Sequence, residues 1–291
     1  MTSRKTRALV AQETIEIIEQ GWYLSPEGQK VTIAELLRYA RENSVLYRPA
    51  DFDEVFSMRD HILRNTSGHP STEFAVVNST TLSAASELVH RRHASDVLCL
   101  NFASARNPGG GFLRGSQAQE ESLARASGLY PCIVQMKAMY HTNRRFRSCL
   151  YTDHMIYSPK VPVFRDDTDV LLREPYCVSI ITAPAVNAGA VRRNEKHNIP
   201  KIETTMLSRI EKVLSLAVIH HHRTLVLGAW GCGVFKNNPI DVARWFHAHL
   251  VENQTFRGSF RTVVFAVLDK SKDQRFMRPF LDTFANLAGG S

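Results

Sequence analysis

From residue 73 onward, continuous apolar runs alternate with stretches whose apolar residues recur at helical spacing. The runs EFAVVNS, DVLCLNFAS, YCVSIITAPA, RTLVLGAWG and FRTVVFAVLD are too apolar to leave one face in water, which is typical of buried strands. Stretches such as TLSAASELVHRR and IETTMLSRIEKVLSLAVIH stand between them and have the pattern of helices. This alternation predicts an α/β fold with three layers, α/β/α, around a largely parallel or mixed central sheet.

The first 72 residues have a different, mostly helical pattern. TRALVAQETIEIIEQG has helical spacing and ends on Gly21, a residue type that commonly terminates helices. WYLSPEGQKVTI predicts a short hairpin around its Pro–Glu–Gly turn, and IAELLRYAREN predicts a second helix. We therefore expect an N-terminal accessory segment, residues 1–72, packed on a second domain, residues 73–291.

Length and hydrophobic content narrow the class of protein. The chain has 291 residues, of which 44% are hydrophobic, enough to build one large core. No apolar run approaches the roughly 18 residues that a membrane span needs. The basic N-terminus is followed at once by acidic residues, without the apolar core of a signal peptide. We expect a soluble intracellular protein, cytoplasmic or nuclear and not secreted, with no membrane partner.

Charge, cysteines and histidines change this picture little. A formal net charge of +8 allows a polyanionic partner such as nucleic acid, but a solvated basic surface explains it equally well. The five cysteines are scattered and form no C-x-x-C pair, which argues against a disulfide framework or a cysteine zinc site. The three consecutive histidines at 220–222 point in different directions and would not converge on one ion. The expectation is no metal.

The stretch NPGGGFLRGSQAQEESLARAS, residues 107–127, holds the first candidate site. A backbone without Cβ atoms at Gly109–Gly111 lets a ligand approach closely and lets successive N–H groups converge on an anion. Ser116 and Gln119 fit a capping box, which predicts a helix start with Glu120 and Glu121 at its fourth and fifth positions. Glycines in a turn and acids near a helix start also suit a purely structural loop.

A second glycine loop, LGAWGCGVFKNNP, follows another predicted strand. Gly231 and Gly233 lack the full dinucleotide fingerprint, so their spacing alone is weak evidence for phosphate binding. Phe235 could stack on a base or belong to the core. Ligands of α/β sheets bind in loops beyond the carboxyl ends of the strands, which is where both loops are predicted to lie.

These residues resemble a known family. GGGFLRGSQAQEE resembles the GGG-x(6–8)-QEE signature of poly(ADP-ribose) glycohydrolases, with seven residues between Gly111 and Gln119. NFASARNPGGGF and GAWGCGVF resemble its microbial-type branch, whose catalytic domain is a macrodomain, and the likeness extends to the N-terminal segment. The resemblance implies a macrodomain with a mixed sheet that hydrolyses ribose–ribose O-glycosidic bonds of poly(ADP-ribose), releases ADP-ribose and needs no cofactor.

The resemblance also implies residue roles. Glu121 would act as general acid and then as base, and Glu120 would hold ribose hydroxyls. The residues implied to bind substrate are Asn107, Gly109, Gly110, Gly111, Gln119, Gly231, Gly233, Val234 and Phe235. Gln119 is expected to cap the helix and order the loop. The implied partners are poly(ADP-ribose) and ADP-ribosylated proteins, with nucleic acid only as a modified substrate.

Three alternatives stay open. The chain could be a macrodomain that binds ADP-ribose without cutting it, although such a reader has no need of an acid at Glu121. It could instead hydrolyse another ADP-ribose linkage, on protein or nucleic acid. A basic nucleic-acid-binding domain is the third alternative, and no recognisable binding motif favours it. The adenine contacts have one candidate segment, residues 76–82.

Overall fold

A computed structural model describes residues 3–65 and 71–287, except for the side chain of residue 286. The N-terminal elements are α1 (Arg4–Gln20), β1 (Trp22–Leu24), β2 (Lys30–Thr32), α2 (Ala34–Glu42), β3 (Val45–Tyr47) and α3 (Phe52–Asn65). Gly21 ends α1 in the left-handed conformation, with φ of 76°, and its amide donates to the Ile17 carbonyl. The expected hairpin is confirmed, because β1 and β2 pair in antiparallel fashion.

The rest of the chain alternates strands and helices. In order, the elements are β4 (Glu73–Val77), α4 (Thr81–His90), β5 (Val97–Phe102), α5 (Gln119–Ala126), α6 (Leu129–Val134), α7 (Lys137–Arg145), β6 (Met155–Arg165), β7 (Leu171–Ala183), α8 (Ala188–Asn194), α9 (Lys201–Ile219), β8 (Thr224–Leu227), α10 (Pro239–His247), β9 (Thr262–Ala266) and α11 (Arg278–Phe284). The five strands expected from the apolar runs are all confirmed, and β6 is an addition.

Seven of these strands form one mixed sheet in the order β3-β6-β7-β5-β8-β9-β4. The strands from β7 to β4 are parallel to their neighbours, whereas β6 runs antiparallel to both β7 and β3. Because β5 and β8 are adjacent and parallel, the loops that follow them leave the same edge of the sheet side by side. Both glycine loops therefore lie beyond the carboxyl ends of strands, as predicted, and the structure makes them neighbours.

Helices cover both faces of this sheet. Residues of α3, α9, α10 and α11 pack in one apolar core with the β5 residues Leu98 and Leu100. Residues of α4, α5, α6 and α7 pack in a second core against the opposite face, which includes Cys99 of β5. The three-layer arrangement is confirmed. Within the residues that the structure describes, no helix is long and apolar enough to cross a membrane.

The N-terminal part packs on the remainder in three further places, besides α3 in the large apolar core. Its strand β3 joins the main sheet beside β6. The hairpin and α2 share a small apolar core with Phe164 of β6. Helix α1 places Ala11 against Phe112 and Ala124, which belong to the first glycine loop and α5. The division of the chain at residue 72 stays a prediction, and residues 66–70 lie outside the described part.

Candidate active site

Helix α5 begins at Gln119, which gives the two glutamates a different position from the expected one. The residue before the helix is Ala118, whose backbone is extended and whose side chain caps nothing. The predicted capping box of Ser116 and Gln119 is therefore wrong. Glu120 and Glu121 are the second and third residues of the helix, not the fourth and fifth.

The side chain of Gln119 binds distant backbone instead of capping its own helix. Its Oε1 accepts from the Phe102 amide at 2.9 Å, and its Nε2 donates to the Leu100 carbonyl at 2.8 Å. The same Nε2 donates to Thr81 Oγ1 of α4 at 3.0 Å. Gln119 thus fastens the start of α5 to the end of β5, and this directs the two glutamates that follow it.

The glycine triplet makes room for these carboxylates. Gly109 and Gly110 have φ of 69° and 58°, a region that side chains rarely tolerate. A Cβ on Gly110 would overlap the Glu121 carboxylate and come within 3.3 Å of Glu120 Oε2. The Gly111 amide donates to Glu121 Oε1 at 3.0 Å. The bare backbone is therefore required by the protein's own acidic side chains.

Glu120 is buried, with only 3% of its surface exposed. Its Oε2 accepts from the Ser104 amide at 2.7 Å, and its Oε1 lies 3.5 Å from Asn101 Nδ2. Burial raises the pKa of Glu120 to about 8; the charge of Glu121 adds to the rise, and the hydrogen bonds from Ser104, Asn101 and Gly109 oppose it. Glu120 therefore holds a proton near neutral pH, beside the half-buried Glu121.

The second loop is anchored at Gly231 and open at Gly233. Gly231 has φ of 74°, and a Cβ there would come within 2.6 Å of the Ala185 methyl group. Asn237 closes the loop by donating to the carbonyls of Val186 at 2.7 Å and Gly231 at 3.2 Å. A Cβ on Gly233 would meet nothing within 4 Å, and Val234 is 76% exposed. The stretch around Gly233 is therefore accessible to a ligand.

An aromatic pair connects this second loop to a segment between α7 and β6. The ring of Phe235 lies 5.8 Å from the ring of Tyr151, between centroids. Arg106, from the first loop, has its guanidinium carbon 5.7 Å from the Tyr151 ring centroid. The structure thus brings Phe235 and the first loop toward a common residue. Sequence reasoning missed Tyr151, because no local motif marks its segment.

The remaining predicted positions are also located. The carbonyl of Asn107 accepts from the Gly110 amide at 3.0 Å, and its side chain forms no hydrogen bond with another described residue. In the candidate adenine segment, Asn78 Nδ2 donates to the Asp269 carbonyl at 2.8 Å, and Asn78 Oδ1 accepts from the Asp269 amide at 2.9 Å. Its role in binding adenine stays a prediction.

The consecutive histidines lie at the opposite edge of the sheet. His220 stacks on Tyr157 with 3.5 Å between ring centroids, and His222 Nε2 lies 2.9 Å from the Tyr157 hydroxyl. Over residues 3–65 and 71–287, no group of three or more His, Cys, Asp or Glu side chains could hold a metal ion.

Comparisons with known proteins show which family and which solved structures the chain is similar to. The family described as "Microbial-type PARG, catalytic domain" matches residues 11–166. The crystal structure of poly(ADP-ribose) glycohydrolase (PARG) from Thermomonospora curvata is 44% identical, with a TM-score of 0.89 over 96% of this chain and 100% of that chain. Its form bound to the inhibitor ADP-HPD is 43% identical, with a TM-score of 0.86 over 96% and 99% of the two chains.

A second bacterial structure is similar. The poly(ADP-ribose) glycohydrolase from Deinococcus radiodurans in complex with ADP-ribose is 44% identical, with a TM-score of 0.79, and the match covers 86% of this chain and 98% of that chain. No curated protein matches the chain. The likeness to these structures confirms the fold class expected from the sequence.

Proposed function

This chain belongs to the microbial-type poly(ADP-ribose) glycohydrolase family, and we propose that it hydrolyses the ribose–ribose O-glycosidic bonds of poly(ADP-ribose) and releases ADP-ribose. The observation that carries the proposal is the pair of carboxyls beneath Gly110. One of them, Glu120, is buried and protonated near neutral pH, and the other, Glu121, stays half-buried at the glycine loop.

Glu121 acts in this proposal as the general acid and then the general base. It donates a proton to the glycosidic oxygen as the bond from that oxygen to the anomeric carbon breaks, and an oxocarbenium-like centre develops on the ribose. A water molecule then attacks the anomeric carbon and gives its proton to the Glu121 carboxylate, which restores the acid. Support for Glu121 over Glu120 comes from exposure, because a group that is 3% exposed cannot meet the substrate as readily.

A neutral Glu120 suits the role of holding ribose hydroxyls. A protonated carboxyl carries one O–H donor as well as acceptor oxygens, so it can bind a hydroxyl in either sense. Its proton also keeps two negative charges from facing each other at the catalytic loop. When substrate occupies the site, it displaces water from around Glu121, which confines proton transfer to Glu121, the substrate and the attacking water.

The two glycine loops bind the terminal ADP-ribose unit in this scheme. The first loop, with Gly109–Gly111 and Asn107, contacts the ribose and the adjoining diphosphate. The second loop, Gly231–Phe235, contacts the diphosphate through backbone N–H groups around the open Gly233, and Phe235 contacts a substrate ring. Gln119 uses both its amide nitrogen and its oxygen within the protein, which supports an ordering role for its side chain.

The partners follow from this reaction. They are poly(ADP-ribose) and ADP-ribosylated proteins as substrates and ADP-ribose as product, with no cofactor and no metal in the chemistry. An intracellular location and a boundary between an accessory segment, 1–72, and a catalytic domain, 73–291, remain our predictions from the sequence.

The test is release of ADP-ribose from poly(ADP-ribose) by the wild-type protein and by Glu121→Gln. We expect the variant to lose activity by about a thousandfold or more, because the neutral amide can neither donate nor accept the catalytic proton. Glu54→Gln, which changes an exposed glutamate of α3, is the matched control and should keep wild-type activity.

Two outcomes would replace the proposal. If the wild-type protein binds ADP-ribose but releases none from the polymer, the chain is a reader. If it cleaves mono-ADP-ribosylated protein or nucleic acid and leaves the polymer intact, it hydrolyses another linkage. Wild-type activity in Glu121→Gln would show that the acid is a different residue.

A further inference from the structure

Three exposed arginines surround the segment between α7 and β6, next to the candidate active site. Arg106 belongs to the first glycine loop, Arg147 follows the end of α7, and Arg193 lies in the last turn of α8. None of them forms an ion pair or a side-chain hydrogen bond with another described residue. We call these three residues the exit rim.

The carboxylate of Glu195 binds the start of the segment that the exit rim surrounds. Glu195 accepts hydrogen bonds from the Cys149 amide at 2.7 Å, from Ser148 Oγ at 2.5 Å and from Asn198 Nδ2 at 2.9 Å. These three donors occupy the Glu195 oxygens, so this acid is committed to the segment. Glu195 therefore does not neutralise the exit rim, and its three positive charges can bind an anionic ligand.

Arg106 and Arg193 converge on this segment from different elements. Burial and the nearby Glu195 raise the pKa of the Cys149 thiol, and the positive charges of Arg106 and Arg193 oppose the rise. Arg193 lies two residues before Glu195, whose carboxylate binds this segment, and Arg106 contacts the Tyr151 ring of the same segment. Arg147 joins them through the chain itself, two residues before Cys149.

The exit rim begins at the mouth of the active site. Arg106 directly precedes Asn107 in the first glycine loop. Its guanidinium contacts the Tyr151 ring, and that ring contacts Phe235 of the second loop. On the other side, the guanidinium of Arg192 donates to the Lys236 carbonyl at 2.9 Å, so the end of α8 is fixed to that loop. The positive surface is thus continuous with the site that would hold the terminal unit.

An exposed aromatic side chain lies within this surface. Phe146 is 40% exposed and stands between Arg145 and Arg147 at the end of α7. Exposed aromatic rings among unpaired cations are the combination that binds single-stranded polymers, because phosphates meet the cations and bases stack on the rings. A poly(ADP-ribose) chain offers both groups, with two phosphates and one adenine in each unit.

Resting on the proposed function, we propose that the exit rim and Phe146 bind the units of poly(ADP-ribose) on the leaving side of the scissile bond. The terminal unit fills the two glycine loops, and the rest of the polymer passes over Arg106, Arg147 and Arg193. The occupant is thus the polymer that remains after each cleavage, not the released ADP-ribose. This surface raises the affinity for long chains over that for the product.

The experiment compares the KM for long poly(ADP-ribose) with the inhibition constant of free ADP-ribose. The variants are Arg193→Glu and the double variant Arg147→Glu/Arg193→Glu. At low salt, the double variant should raise the polymer KM by about tenfold or more, with kcat unchanged and the difference shrinking as salt is added. Free ADP-ribose should inhibit the variants and the wild type equally, because it occupies only the terminal subsite.

Two further variants serve as controls. Arg257→Glu makes the same charge change as Arg193→Glu at an exposed arginine just before β9, at the opposite edge of the sheet, and should leave the polymer KM unchanged. Arg147→Lys/Arg193→Lys keeps both charges and should behave as the wild type. Unfolding midpoints of all variants establish that they are folded; because the substituted arginines are exposed, we expect these midpoints to stay close to that of the wild type.

The outcomes separate this inference from the proposed function. If the wild-type protein releases no ADP-ribose from the polymer, the proposed function itself fails. If the wild type is active and the folded double variant keeps the wild-type polymer KM, the exit rim does not bind the polymer. An equal rise in Arg257→Glu, or a parallel loss of ADP-ribose inhibition in the double variant, also overturns the inference.

Discussion

The two glycine loops lie side by side, yet the first is braced by contacts with α1, α5 and β5, and the second is partly open. In the first loop, Gly111 donates to Glu121, and Gln119 ties the following helix to β5. In the second, Gly228 and Gly231 are tightly enclosed, while Gly233 has open space and Val234 is exposed. The loop that carries the acid must fix a proton donor in position, whereas the loop that meets the diphosphate needs free N–H groups.

The brace of the first loop extends to the N-terminal helix. Arg4 Nε donates to the Arg114 carbonyl at 3.0 Å, and Arg7 Nε donates to the Gly115 carbonyl at 2.9 Å. Gly115 has φ of 70°, and a Cβ there would overlap the Arg4 carbonyl. From the other side, Arg125 of α5 donates to the Ser116 carbonyl at 3.0 Å. The first glycine loop is thus held by hydrogen bonds from both α1 and α5.

Alanine at the two central glycines should give the largest contrast between the loops. Gly110→Ala forces a side chain against the Glu121 carboxylate at a φ of 58°, so we expect ADP-ribose release to fall by about a hundredfold or more. Gly233→Ala adds a methyl group on the side where the diphosphate is proposed to bind, so its cost should appear in KM, and kcat should change by no more than about twofold. Steady-state release assays measure both, and similar losses in the two variants would contradict the difference between the loops.

The buried carboxyl under the first loop predicts a specific pH dependence. Glu120 keeps its proton in the folded state up to about pH 8, whereas in the unfolded chain it releases it near its ordinary pKa of 4.5. Between these values the folded state binds more protons, so this group lowers the free energy of unfolding as pH rises.

Glu120→Gln removes that dependence because the amide stays neutral. The difference in free energy of unfolding, variant minus wild type, should therefore increase by about 2–4 kcal/mol from pH 4 to pH 8, because only the wild type loses stability over this range. Urea titrations at several pH values measure the difference. A gap between the two proteins that is constant over this range would mean that Glu120 is charged in the folded protein.

The tether between α5 and β5 should matter for both stability and rate. Gln119→Leu removes three hydrogen bonds and leaves the Phe102 amide without its acceptor, which should cost about 2 kcal/mol of unfolding free energy and lower kcat more than it changes KM. Gln254→Leu, at an exposed position in the turn that precedes β9, tests for a general effect of apolar substitution. Equal kcat values for Gln119→Leu and the wild type would refute a positioning role.

The smallest effect is expected when the contact between α1 and the first glycine loop is removed. Arg7→Ala removes the hydrogen bond to the Gly115 carbonyl and should cost about 1 kcal/mol of unfolding free energy, with a several-fold drop in kcat and little change in KM. Lys5→Ala, at an exposed position on the same helix, serves as the control and should match the wild type. A kcat for Arg7→Ala that equals the control value would mean that the loop holds its shape without α1.

The sequence predicts the parallel strands well, because strands buried on both faces are continuously apolar. It misses β6, whose Pro159 and Pro162 are unusual inside a strand and accompany an irregular register between Ser158 and Val161. The prolines are tolerated because β3 pairs only with Met155–Tyr157, so neither proline nitrogen is needed for a hydrogen bond to β3. Composition therefore carries little signal for a strand that tertiary pairing stabilises.

The candidate site is predicted in part. The positions of the glycines and glutamates follow from local spacing, but the partners of their side chains do not. A capping box and a long-range tether are both available to Gln119, and only the fold selects Phe102, 17 residues away. Tyr151 reaches the site from the segment between α7 and β6, and a single sequence carries no signal for such proximity.

The short strand β3 has a consequence for how the protein avoids association. The eleven-residue β6 would be the exposed border of the sheet if it were not covered by β3 at Met155–Tyr157 and by the Gly128 amide at Pro162. Unpaired borders of this length are templates for pairing with another chain. A chain that begins at residue 73 would uncover Met155–Tyr157 and is expected to self-associate through it. The N-terminal segment therefore shields the edge of the sheet from pairing with another chain, in addition to holding the first glycine loop.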